Sequence, residues 1–63
     1  MCLSKVYFAK NGEQELIMSE IASLKVTANK LQLTTLLGEQ KEIAASIREI
    51  DFLTHSIILG KKV

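Results

Sequence analysis

The dipeptide Asn11-Gly12 stands between two apolar-rich runs in "LSKVYFAKNGEQELIM". Both residues tolerate positive φ, which a two-residue primed turn requires, so the stretch predicts a tight β-hairpin. On its first strand Cys2, Ser4, Val6 and Phe8 share one face, and Leu3, Lys5 and Tyr7 share the other. Val6 and Phe8 turn the first set inward, which puts Cys2 at the rim of the core.

A lone hairpin is at best marginally stable, so further strands are needed. Leu24, Val26 and Ala28 alternate with Lys25 and Thr27, and Leu31, Leu33 and Thr35 alternate with Gln32 and Thr34. Asn29-Lys30 between them predicts a tight turn. Gly38 ends that run, and Lys41 and Ile43 resume it. "REIDFL" and "SIILG" flank Thr54-His55-Ser56, a third hairpin. Read this way, the chain carries six or seven short strands in one domain spanning residues 1–63. That suits a compact all-β barrel that closes its own edges. Two stretches have another periodicity. In "EQKEIAASIREI" the residues Ile43, Ile47 and Ile50 follow helical spacing, and periodicity alone favours a helix over 39–50. "QELIMSEIASL" also fits a short helix through Leu16, Met18, Ile21 and Leu24.

Size narrows the function. A chain of 63 residues buries only about 60% of the surface that its unfolded form exposes. Domains this small lean on disulfides, a metal or a partner subunit. A single cysteine excludes an internal disulfide, while 48% hydrophobic residues supply a core. Few residues remain for the supporting layers of a catalytic cleft, so an enzyme is not expected. Eight basic and seven acidic residues, net +1, argue against a nucleic-acid partner, which calls for a basic excess or face. No apolar run approaches a membrane span, and the start lacks a secretory signal. With a free thiol, these features place the chain in the cytoplasm.

Most chemical signatures are missing. Gly12, Gly38 and Gly60 are isolated, and no CxxC or CxxH occurs. His55 reads as an exposed turn residue, with metal ligation as its sharper alternative. Lys61 and Lys62 read as solubilising, and Tyr7 alone is not the aromatic platform of a single-strand binder.

Cys2 is the strongest candidate. A free cysteine often serves as a small buried hydrophobe, but position two opens another chemistry. The amine of Met1, the backbone nitrogen of Cys2 and the Cys2 thiolate follow at short covalent spacing. A metal meeting all three closes two fused five-membered rings. Nitrogen and thiolate donors in a plane suit Ni(II) or Cu(II), whereas Zn(II) prefers a tetrahedron. If Met1 is removed, Cys2 itself still supplies an amine and a thiolate. One chain leaves the coordination unfinished, and a second copy completes four donors. A homodimer with its amino termini at the two-fold axis follows.

At this point the residues resemble a family. "MC" at the start, "KVY", "LTTLLGEQKEI" and "IREIDFLTHSIIL" are similar, in order and spacing, to the CooT family of small nickel-binding accessory proteins in carbon monoxide dehydrogenase maturation. The resemblance implies a small SH3-like or Sm-like β-barrel in place of the helix over 39–50. It implies strands at residues 41–44 and 47–53, with Ile50 and Phe52 toward the core. It also implies Ni(II) bound through Cys2, an ion shared by a dimer, a metallochaperone-like role and a nickel-enzyme client such as carbon monoxide dehydrogenase. An RNA-binding barrel is the alternative function.

Overall fold

The computed structural model describes residues 3–61. They form six strands: β1 (Ser4–Lys10), β2 (Glu13–Val26), β3 (Leu31–Thr35), β4 (Gln40–Ile43), β5 (Ala45–Asp51) and β6 (Ser56–Lys61). No helix occurs among the described residues. The strands make one sheet in the order β4-β3-β2-β1-β6-β5. Only β1 and β6 run parallel; the other ladders are antiparallel.

Chain connectivity forces this sheet to curl. Its edge strands, β4 and β5, are joined through Ala44 alone. Six flat strands would hold the edges about 24 Å apart at the usual strand spacing, and two residue steps span at most about 7 Å. The sheet therefore rolls until its edges approach. No ladder joins β4 to β5, so the result is a curled half-barrel. The expected barrel is present, but its two edges remain open.

The turns follow local chemistry. Asn11 and Gly12 have φ of 52° and 82°, the primed geometry that lets Lys10 pair with Glu13. Asn29-Lys30 belongs to a four-residue loop, 27–30, flanked by the Val26–Leu31 pair. There the Thr27 hydroxyl donates to the Lys30 carbonyl at 2.8 Å, and the Lys30 N–H donates back to it at 3.2 Å. Gly38, at φ 92°, turns β3 into β4. The Glu39 N–H donates to the buried Thr35 hydroxyl at 3.1 Å, which gives that side chain its polar partner.

Val6, Ile21, Leu31, Leu33, Ala45 and Leu59 form the core, with Phe8, Met18, Leu24, Ile43 and Ile57 packed around it. The inward face expected for Val6 and Phe8 is the observed one, and of the alternating residues in β3 it is Leu31, Leu33 and Thr35 that turn inward.

Both helical readings are corrected, for one physical reason. β5 pairs Ile47 with Leu59 and Ile50 with Ile57, with a register shift at Arg48. Leu59 and Ile57 share a face, so the bulge brings Ile47 and Ile50 onto one face although they are three residues apart. In β2, register shifts pair Met18 with Val6, Ile21 with Ser4 and Leu24 with Leu33. Glu20, at φ 58°, marks the bend. Apolar spacings of three, characteristic of a helix, here come from bulged strands.

The strand ends expected near 41–44 and 47–53 also move. β5 stops at Asp51. Ile50 is half-exposed at 46%, and Phe52 lies in the following turn at 81%, so neither is buried in the core.

Leu33 is fully buried. Leu33→Ala should lose about 2–5 kcal/mol, comparable to the whole stability of so small a domain. Urea unfolding followed by circular dichroism should show a mostly unfolded variant, while Phe52→Ser shifts the midpoint little.

Candidate metal centre at the start of β1

Met1 and Cys2, the expected ligands, lie outside the described residues. What the structure describes is the strand that follows them in sequence. Leu3 is half-buried and precedes β1 directly. Ser4 pairs with Ile21 of β2 on one side, and Lys5 pairs with Ser56 of β6 on the other. The Lys5 N–H donates to the His55 carbonyl at 2.9 Å. The start of β1 is thus fixed laterally by both neighbours, and the β5–β6 turn is bonded to it.

That turn is built by Asp51. Its Oδ1 accepts the Leu53 N–H at 2.9 Å and the Thr54 N–H at 3.2 Å. This side-chain acceptor competes with continued strand pairing and ends β5 at that residue. The Thr54 hydroxyl donates to Ser56 Oγ at 3.0 Å. His55 closes the turn at φ 55°, a left-handed conformation that is uncommon for a side-chain-bearing residue. Its side chain is exposed, as the sequence suggested, but its backbone connection to β1 was not foreseen.

The same turn presents apolar surface. Phe52 and Leu53 are 81% and 93% exposed. The family resemblance had implied Phe52 inward, on a strand running past Asp51 to Leu53. The signal against it was the Asp51 carboxylate two residues before Leu53, in an Asx-turn position.

Among the described residues no group of three His, Cys, Asp or Glu could hold a metal ion. His55 therefore has no described carboxylate or imidazole cluster around it. No helix of the described residues is long and apolar enough to cross a membrane.

Comparison with known proteins agrees with the fold. The family described as "CO dehydrogenase accessory protein CooT" matches residues 1–60. A crystal structure assigned to CooT from Carboxydothermus hydrogenoformans superposes with a TM-score of 0.89. It shares 24% sequence identity, covering 98% of this chain and 100% of that one, and the likeness is one of fold. A search among curated proteins gave no match.

Asp51→Ala removes the shared acceptor of two N–H groups and should lower stability by about 1 kcal/mol. Amide exchange should speed up at Leu53 and Thr54 and at Lys5, whose partner lies in the same turn. Asp51→Asn, which keeps the acceptor oxygen, should restore most of the protection.

Proposed function

This chain belongs to the CooT family of CO dehydrogenase accessory proteins, and on that basis we propose that it binds Ni(II) for delivery to a nickel enzyme. It is an accessory protein and not the enzyme itself. The observation that carries the metal reading is that the family match begins at residue 1 and so takes in Met1 and Cys2. In this reading the ligands are the Cys2 thiolate, the Cys2 backbone nitrogen and the Met1 amine.

The donor chemistry supports nickel. A thiolate and two nitrogens tethered in sequence lose little conformational freedom on chelation. The amide proton is the hardest to remove, and a metal with a strong planar preference offsets that cost. Binding releases protons and therefore weakens as the pH falls.

In the same proposal, two copies share one ion in a homodimer. Phe52 and Leu53 support this arrangement, since they are exposed on the turn bonded to the start of β1. A two-fold axis near the amino termini would bring two such turns together and bury their apolar surface. The proposed location is the cytoplasm, where a free thiol stays reduced. The client is a CO dehydrogenase or a related nickel enzyme.

Titration of reduced protein with Ni(II) should produce an ultraviolet thiolate-to-nickel band that saturates near half an ion per chain. Cys2→Ser should lack the band. Light scattering should show a dimer in the presence of the metal. A titration of reduced wild-type protein without the band would remove the nickel reading, and saturation at one ion per chain would remove the shared ion.

A further inference from the structure

At the opposite end of β1 lies a second feature, unconnected with the proposed metal centre. A recess of about 420 Å³ is lined by Phe8, Ala9, Lys10, Asn11, Arg48 and Lys61. Three of the chain's eight cationic side chains meet there, and among the described residues no carboxylate lines it. The topology explains the gathering. The parallel β1–β6 ladder runs to the pair Phe8–Leu59, so Lys10 and Lys61 each stand two residues beyond it. Arg48 reaches the same place from the neighbouring edge strand, through the bulge between Ile47 and Glu49.

Arg48 also has a built seat. Gly60 is buried, and a Cβ placed on it would collide with Nε, Cδ and Cζ of Arg48. Gly60 is not among the positive-φ residues, so glycine serves here to provide space and not an unusual backbone. The missing side chain lets the arginine lie across β6 beside the recess. A glycine inside a strand commonly marks such a close approach. Among the described residues, no hydrogen bond or ion pair engages the side chains of Lys10, Arg48 or Lys61. Two acidic groups, Glu13 and Glu15, line an adjoining recess that shares Phe8, Lys10 and Asn11. Lys10 therefore lines both recesses, while Arg48 and Lys61 line the cationic one and not its acidic neighbour.

Three neighbouring cations raise the local potential, and an anion relieves their mutual repulsion. A carboxylate would answer one of them. A diphosphate offers several charged oxygens on one small ligand, and a guanidinium fork matches phosphate geometry with two parallel hydrogen bonds. We propose that this cleft binds the diphosphate group of a small molecule, either free pyrophosphate or a nucleoside diphosphate, with Arg48 as the fork and Lys10 and Lys61 as point charges.

The test is titration of the full-length, 15N-labelled chain with pyrophosphate, ADP and inorganic phosphate at low salt, followed by NMR and calorimetry. Pyrophosphate or ADP should saturate, with shifts concentrated at residues 8–11, 48, 60 and 61, and should bind more tightly than inorganic phosphate. Tighter binding of ADP identifies the nucleotide as the source, and equal binding identifies the diphosphate alone. Arg48→Gln, at an exposed position, should keep the folded spectrum and weaken binding about tenfold. Gly60→Ala should weaken it as well by displacing the arginine. Cys2→Ser should bind diphosphate like wild type, so a failed nickel experiment leaves this one intact. Lack of saturation, Arg48→Gln binding as wild type does, or retention of single-stranded RNA without diphosphate binding would each overturn the proposal.

Discussion

The parallel pairing of β1 with β6 organises this molecule. It joins strands from opposite ends of the sequence, Lys5 with Ser56 through Phe8 with Leu59. Parallel pairs need a long crossover, and here β2 to β5 together form that crossover. Val6 and Leu59, both fully buried, belong to this central pair. Because the contact is so distant in sequence, its loop-closure entropy must be met before packing gives anything back. The pairing also has a positional consequence. It brings the turn after Asp51 to the start of β1 and brings Lys61 level with Lys10, so each end of β1 gains neighbours that local sequence would never supply.

The second organising device is the bulge. A barrel of six strands needs sharp local bending, and extra residues inserted into β2 and β5 provide it. Each bulge also resets which residues face inward. This is why the clean alternation of β1 and β3 could be read from sequence, and for β1 its buried face as well. It is equally why β2 and β5 imitated a helix. Met18, Ile21 and Leu24 are spaced by threes because two ladders with different registers meet on one strand. Resemblance to a family corrected the type of element at 39–50 but not its boundary. The Asp51 side chain ends β5 by capping two N–H groups, an effect of hydrogen bonding that apolar periodicity does not carry.

For the candidate site the division is different. Cys2 and Met1 stood out in the sequence because donor spacing along a covalent chain requires no fold to be recognised. The surroundings required the fold. Exposed Phe52 and Leu53, the His55 carbonyl bonded to Lys5, and the lateral pairing of Ser4 all depend on strand order. The same holds for the cationic recess. Lys10, Arg48 and Lys61 are far apart in sequence, and Gly60 read only as an isolated glycine until the arginine was seen to lie where its side chain would be.

The cationic recess lies at one rim of the half-barrel and β1 begins at the other, and the reason is one of scale. With only six buried apolar residues at its centre among the described residues, the domain has no interior to spend on a pocket: every core position lost to a polar ligand would cost several kilocalories from a total of about the same size. A chain so small can add chemistry only where strands begin and end, with donors the core does not need. Strand termini also place backbone groups and side chains of different strands side by side, as at Lys5 and His55 or at Lys10 and Lys61. β1 spans the distance between the two rims, and its inward side chains, Val6 and Phe8, serve the core throughout. The strand that holds the fold together thus sets its first residue, Ser4, and its last, Lys10, about 20 Å apart, so the turn bonded to its start and the recess at its end are served by different neighbours.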